Sequence, residues 1–140
     1  MTSTAVETNV MVAFVLLSHP DQVGMARCLV RTVLEYRGLG HYAPDAATIA
    51  SELVTNAIQH AASGADPADK IGVTVTCVQE GRAVGIAVTD SSPKPPVKRD
   101  TTTGSERGRG LQIVEALSAN WGWSQEQGGK SVYAILAKEG

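Results

Sequence analysis

Three segments of the chain show the hydrophobic pattern of β-strands. Residues 10–17 form a continuous apolar run, whereas 71–78 and 83–90 place an apolar side chain at every second position. A short apolar run is typical of a buried strand, and strict alternation is typical of a strand with one buried face. The glycine-containing segment 79–82 between the last two strands predicts a hairpin turn.

Three other segments repeat apolar residues at the helical spacing of three and four positions. They cover about 20–37, 45–62 and 111–122. Pro20 and Asp21 suit the first turn of a helix, because proline lacks the N–H that would have no partner there and a carboxylate favours the positive end of the helix. The sequence therefore predicts three amphipathic helices, with helix starts near Asp21 and Asp45.

The order of these elements predicts an α+β fold. A last hairpin is expected over 123–137 with its turn at 127–129, which gives the order β α α β β, long loop, α β β. Strands and helices are partly segregated along the chain, which favours a two-layer sandwich of an antiparallel or mixed sheet with helices on one face. The polar segment 1–9 is expected to be a disordered tail, and 10–140 to form a single domain.

Composition and charge exclude several classes of function. The chain of 140 residues is 43% hydrophobic with a net charge of −2, so bulk electrostatics favour no nucleic-acid partner. Its longest apolar run, 10–17, is far shorter than the ~20 residues of a membrane span. Cys28 and Cys77 lack the spacing of a zinc site and are expected to be small buried residues of a cytoplasmic protein.

The second predicted helix carries three polar residues at a spacing of four: Glu52, Asn56 and His60. At about 100° per residue they occupy roughly 80° of arc beside the apolar face. This stripe lies at the rim of the core, where a cleft could open. The alternative is that these are boundary residues that are hydrogen-bonded or half-solvated.

Asp90 ends the third predicted strand at a position that shares the parity of Val84, Ile86 and Val88. A buried carboxylate is costly unless it is paired, and an ionised one only accepts hydrogen bonds. Asp90 could therefore hold an amine donor in a pocket. Equally, the Asp-Ser-Ser-Pro sequence is typical of a turn that the aspartate caps.

The segment before the third helix combines glycines with basic residues. These are Gly104, Arg107, Gly108, Arg109 and Gly110. Glycine lets backbone N–H groups approach an anion closely, and a helix N-terminus adds unpaired donors and a positive dipole end. The pattern indicates phosphate binding, with a flexible, solvated loop as the alternative. The Gly-Gly-Lys-Ser at 128–131 is no P-loop, because the first glycine of that motif would fall at Ser124 and a strand follows.

These motifs, in this order, resemble the Bergerat-type (GHKL) nucleotide-binding fold, and the short form resembles the anti-sigma factor serine/threonine kinases of bacterial partner-switching systems. Residues 51–61 resemble the N-box, 88–93 stand in the place of the G1 box, and 108–122 resemble the G2 region. Residues 129–136 resemble the last strand pair. The resemblance covers about 15–137 and implies a mixed sheet with helices on one face.

The resemblance implies ATP and Mg²⁺ as ligands and gives each motif a role. Asn56 would bind Mg²⁺, Glu52 would be the general base, and Asp90 would accept from the adenine amino group. The loop 91–109 would be an ATP lid. The remaining expected ATP-binding residues are Gly104, Arg107, Gly108, Arg109, Gly110, Leu111 and Ser131.

One motif departs from the family pattern. The G1 box of the family is Asp-x-Gly-x-Gly, whereas this chain has Ser92 and Lys94 at the two glycine positions.

The function implied by the resemblance is phosphorylation of a small antagonist protein on serine, together with binding of a sigma factor; similar kinases often pair as homodimers. The main alternative is a non-catalytic ATP-binding or protein-binding module. A sensor-kinase catalytic domain would need a phosphoacceptor helix pair, for which 140 residues leave no room. An ATPase clamp would need a transducer domain.

Overall fold

The computed structural model describes residues 8–61, 70–92, 95–96, 110–126 and 128–137, which form five strands and three α-helices. The strands are β1 (Thr8–Leu17), β2 (Lys70–Val78), β3 (Ala83–Asp90), β4 (Asn120–Glu126) and β5 (Gly129–Ala137). The helices are α1 (Gln22–Tyr36), α2 (Ala43–Ala61) and α3 (Gly110–Leu117). Short 3₁₀ turns occur at Gly40–Tyr42 and Gln79–Gly81. Among these described helices, none has the length and apolar character needed to span a membrane.

The five strands form one sheet in the order β1-β2-β3-β5-β4, and every neighbouring pair is antiparallel. The expectation of a mixed sheet was therefore wrong for the described strands. Strand β2 follows β1 after α1 and α2 and runs opposite to it. Strands β3 and β4 run in the same direction, but β5 lies between them and pairs with both.

The core lies between the helices and one face of the sheet. The predicted inner positions of β3, which are Val84, Ile86 and Val88, are all buried. Helix α1 buries Ala26, Val30 and Leu34. Helix α2 lies centrally and packs against α1, α3 and β3, and its buried side chains include Ile49, Leu53, Val54 and Ala57. The two-layer α+β prediction is confirmed.

The third helix is shorter than its sequence pattern predicts. It ends at Leu117, and the Ser118 hydroxyl donates to the carbonyl of Val114 at 2.6 Å. The next backbone N–H, of Ala119, donates to Ile135 on β5 at 2.7 Å. Residues 120–122, predicted as helix, thus belong to β4, where Trp121 packs against the core. Cross-strand pairing overrides the local helical pattern here.

The chain also forms strand earlier than expected at its start. β1 begins at Thr8, which pairs with Val78, and Asn9 pairs with Cys77. Two residues of the predicted tail 1–9 are therefore strand residues. Residues 1–7 lie outside the described residues.

The two cysteines are less buried than expected. Cys28 is exposed and Cys77 is half-buried, and both are free thiols. Cys28 follows the buried Ala26 by two positions, which is about 200° around a helix and places it on the solvent side of α1. The prediction that Cys28 is a core residue was wrong.

Candidate functional site

Helix α2 places Glu52 and Asn56 one turn apart at the edge of the core. Both side chains are half-buried, and their neighbours Leu53 and Ala57 are buried. Within the described part of the chain, neither side chain has a hydrogen-bond or ion-pair partner. An amide and a carboxylate are therefore available at the rim of the core, as the spacing predicts.

Glu52 lies against the first residue of α3. A β-carbon added at Gly110 would be 3.2 Å from Oε2 of Glu52 and 3.8 Å from its backbone oxygen. A side chain at this position would therefore require the Glu52 carboxylate to shift slightly, whereas the backbone contact is an ordinary one. Leu111, the next residue, is buried in the core and fixes the start of α3 there.

Burial raises the pKa of the Glu52 carboxyl above the usual 4.5, because the charged form loses hydration at the edge of the core. A carboxylate with a raised pKa binds a proton more readily than an exposed one. This property is typical of groups that accept a proton during a reaction.

Asp90 is buried at the end of β3 and is engaged by two partners. Its Oδ1 accepts the N–H of Ser92 at 2.8 Å, which is the predicted turn cap. The ammonium of Lys130 lies 3.0 Å from Oδ2 and 3.1 Å from Oδ1, and donates to the carbonyl of Ser92 at 3.4 Å. The carboxylate therefore caps a turn and also holds an amine donor.

Lys130 was missed by the sequence analysis as a site residue. It is fully buried, with 0% of its surface exposed, and lies directly opposite Asp90 in the register of β3 and β5. The sequence did contain a signal for its burial, because Lys130, Val132 and Ala134 occupy every second position of β5 and therefore share one face. The Gly-Gly-Lys-Ser segment leads into a strand and is no P-loop, as expected, but its lysine belongs to the Asp90 site.

Gly129 allows β5 to start close to the end of β3. A β-carbon at this position would collide with the backbone oxygen of Asp90 and lie 2.9 Å from the Cα atom of Ser91. Only glycine therefore fits without a shift of either backbone. This close approach is what brings the Lys130 ammonium onto Asp90.

Ser131 faces away from this cluster. Its hydroxyl forms a hydrogen bond of 3.4 Å with the hydroxyl of Thr89, and both residues have the opposite parity to Asp90 and Lys130. The residue of β5 that neighbours Asp90 is therefore Lys130, not Ser131. The assignment of Ser131 to the same site as Asp90 has no support in this geometry.

The remaining predicted ATP-binding residues lie outside the described residues. They are Gly104, Arg107, Gly108 and Arg109. Most of the predicted lid, 91–109, also lies outside them, as does the side chain of His60.

A separate pocket of about 380 Å³ lies over the sheet face opposite to the described helices. Its lining is largely apolar and includes Val78, Ala87, Tyr133 and Ile135. None of the predicted site residues lines it, so this pocket is distinct from the cluster around Glu52 and Asp90.

The described fold and the positions of Glu52, Asn56 and Asp90 can be compared with known proteins. A family model for the histidine kinase-like ATPase domain matches residues 16–136. The chain belongs to this family. The matched range contains every site residue discussed above and confirms the Bergerat-type, histidine kinase-like ATPase fold that the motifs predict.

This member of the histidine kinase-like ATPase family is similar to a solved structure. That structure is the crystal structure of the RsbU and RsbW domains of Rv1364c from Mycobacterium tuberculosis. The TM-score is 0.65 at 20% sequence identity, and the match covers 90% of this chain and 32% of that chain. At this identity the similarity is one of fold. No curated protein matches the chain.

Family membership implies binding of ATP, typically with Mg²⁺, and the described residues fit that ion. Among them, no group of three His, Cys, Asp or Glu side chains could form an all-protein metal site. Mg²⁺ instead favours one or two protein oxygens together with phosphates and water. The amide of Asn56, which has no partner within the described residues, would supply such an oxygen.

Proposed function

We propose that the protein is an ATP-dependent serine/threonine kinase of the anti-sigma factor type. It phosphorylates a small antagonist protein and binds a sigma factor, with pairing to a second copy of the chain as part of the same proposal. The observation that carries the proposal is the arrangement of Glu52 and Asn56. Both are half-buried and unpartnered within the described residues, and Glu52 lies against Gly110 at the start of α3.

The catalytic roles divide between two residues of α2. Asn56 holds Mg²⁺, which neutralises phosphate charge when bound. Glu52 accepts the proton of the attacking serine hydroxyl. The serine oxygen forms a bond to the γ-phosphorus, the bond from that phosphorus to the β–γ bridging oxygen breaks, and ADP leaves with that electron pair.

The remaining roles concern nucleotide binding. Asp90 accepts from the adenine amino group. Residues of the glycine- and arginine-rich segment hold the phosphates, namely Gly104, Arg107, Gly108, Arg109, Gly110 and Leu111. The loop 91–109 would be the ATP lid. Such transfer depends mainly on positioning and charge stabilisation, which is the contribution these groups would make.

Single-turnover transfer of labelled γ-phosphate tests the proposed reaction. The acceptor is a small partner protein identified by pull-down or gene neighbourhood. The expected result is label on a serine or threonine of that partner. Label on histidine would instead indicate a sensor-kinase activity. ATP binding without transfer to a verified partner would contradict the kinase proposal.

Asn56→Ala is expected to weaken binding of Mg–ATP much more than binding of metal-free ATP. The reason is that the amide contacts the ion and not the base. Calorimetric titration with and without Mg²⁺ measures both affinities, and the exposed Gln59→Ala on the same helix is the matched control. A variant whose ATP affinity responds to Mg²⁺ as the wild type does would remove Asn56 from the metal shell.

A non-catalytic ATP-binding or protein-binding module is the second candidate. It is favoured by the state of Asp90, whose side chain is only 5% exposed and already pairs with Lys130. The departure of the G1 box at Ser92 and Lys94 points the same way. Retention of both Glu52 and Asn56 favours the kinase, and the transfer experiment separates the two.

A further inference from the structure

We propose that two copies of the chain pair through the outer face of the sheet, with β1 of each copy seated in a trough over β3 of the other. The outer face is the one opposite to the described helices, and the trough is the pocket of about 380 Å³ that lies on it. The inference deepens one part of the proposed function, the pairing of two copies, by naming its surface. It does not depend on phosphoryl transfer.

The outer face is apolar and nearly free of charge. On β1, Val10, Val15 and Leu17 expose 62%, 64% and 52% of their surface. Within the described strands, charged side chains occur on this face only at strand ends, at Lys70 of β2 and Glu126 of β4. An exposed apolar surface that extends over several strands is typical of a contact with another protein.

The trough follows the central strand β3. Its floor is formed by the outer residues of that strand, Gly85 and Ala87, which have little or no side chain. Its walls are Val78 of β2 on one side and Tyr133 and Ile135 of β5 on the other. The trough therefore has an apolar lining and runs parallel to the strands.

Two close contacts keep the trough open. Tyr133 leans away from β3 and across Gly122 of β4, because a β-carbon at Gly122 would lie only 2.6 Å from the tyrosine hydroxyl. On the other side, a β-carbon at Gly85 would collide with the hydroxyl of Thr76. The floor thus has no side chain at Gly85, and the aromatic ring of the wall does not cover it.

Strand β1 supplies the ridge that fits this trough. Strands β1 and β3 lie on either side of β2, each ~4.8 Å from it. A two-fold axis that runs along β2, above the outer face, therefore places β1 of each copy over β3 of the other. The register sets the exposed Val10 over Gly85, because both of these residues pair with Thr76.

A second copy suits this face better than other occupants do. Ridge and trough lie on the same face, two strands apart, and such self-complementarity is what a two-fold interface requires. The two faces do not repel each other although each chain has a net charge of −2, whereas an acidic or basic partner would meet no opposite charge there. Pairing through the free edge of β1 is disfavoured by the irregular register between Val10 and Val12.

The area of the overlap corresponds to a weak pair. Three strands at ~4.8 Å spacing and ~27 Å length overlap over about 400 Å² per copy in projection. Protruding side chains raise the total buried surface to about 1,000 Å², at the low end of specific interfaces. The pair is therefore expected to dissociate in the micromolar range.

Sedimentation velocity over a concentration series tests this interface. The wild type is expected to convert from monomer to dimer as its concentration rises. Val10→Asp and Ala87→Lys are each expected to weaken self-association about 100-fold or more, because each buries an unpaired charge at both contact sites of the two-fold pair. An equimolar mixture of the two variants is expected to recover the dimer. In the mixed dimer one contact site carries opposite charges and the other is unchanged.

Controls separate loss of pairing from loss of structure. Met25→Asp places the same charge on α1, in the other layer, at a residue that is 51% exposed, and is expected to associate as the wild type does. Near-UV circular dichroism shows whether each variant keeps its packed core. The reversed pair, Val10→Lys with Ala87→Asp, is the second set of variants, should the first not fold.

Three results would overturn the inference. A dimer that persists unchanged in Val10→Asp and Ala87→Lys would assign pairing to another surface, such as the free edge of β1, and leave the proposed pairing intact. A mixture with no more dimer than either variant alone would contradict the placement of β1 over β3. A wild type that stays monomeric would overturn both this inference and the proposed pairing, while transfer of labelled phosphate would still decide the kinase activity.

Discussion

Glu52→Gln lowers the rate of phosphoryl transfer about 10²- to 10⁴-fold, or about 3–5 kcal/mol of activation barrier, while ATP binding changes little. This is the expected result if Glu52 accepts the proton of the attacking hydroxyl, because glutamine preserves the size and polarity of the side chain but cannot take up that proton. Single-turnover transfer to the partner protein measures the rate, and calorimetry measures the affinity for ATP.

The pH dependence of the rate provides a second test of the same role. A general base acts in its deprotonated form, and burial raises the pKa of Glu52 above 4.5. The rate is therefore expected to fall as the pH is lowered through that raised pKa, at a higher pH than for an exposed glutamate. The residual rate of Glu52→Gln should not show this fall with decreasing pH.

Thermal unfolding is the control for loss of structure. Because the pKa of Glu52 is raised in the folded state, the folded protein binds the proton more tightly than the unfolded chain does. The contribution of Glu52 to the stability of the fold is then most favourable at low pH. It declines as the pH rises from 4.5 through the raised pKa and stays constant above it. Glutamine removes this loss, so Glu52→Gln should unfold at or above the wild-type temperature at pH ~7.

Two outcomes would contradict the role of Glu52. An unchanged rate in the variant would leave the kinase without this base. A loss of ATP affinity equal to the loss of rate would assign the residue to substrate binding instead.

Lys130→Met is expected to destabilise the folded state by about 3–5 kcal/mol, because it leaves the Asp90 carboxylate buried without its cation. The double variant Asp90→Asn with Lys130→Met should recover most of this loss. Asparagine removes the charge and keeps an oxygen that can accept the N–H of Ser92. Urea denaturation measures the free energy of unfolding for each variant.

A matched control and a contradicting outcome accompany this prediction. Lys70→Met removes an exposed lysine from β2 and is expected to change stability by less than ~0.5 kcal/mol. If the effects of Asp90→Asn and Lys130→Met simply add in the double variant, the two residues are not coupled and the structural pairing contributes nothing measurable.

Much of the local structure is predictable from the sequence because it depends on short-range periodicity. The alternation in β3 predicts that Val84, Ile86 and Val88 share a buried face with Asp90, and all four are buried. The spacing of Glu52 and Asn56 predicts their place at the rim of α2. The prediction fails where contacts between distant segments determine the secondary structure. Trp121, for example, pairs with Ala134 of β5 although the preceding residues in the sequence have a helical pattern.

The sequence by itself therefore determined the α+β class, the elements and the candidate residues on each element, since periods of 2 and 3.6 are properties of neighbouring residues. Only the tertiary structure decided which candidates meet. The register of β3 and β5 places Lys130, and not Ser131, opposite Asp90. The packing of α3 on α2 places Gly110 against Glu52. Both contacts join segments about 40 or more residues apart, and the first depends on the close backbone approach that Gly129 allows, which no local pattern encodes.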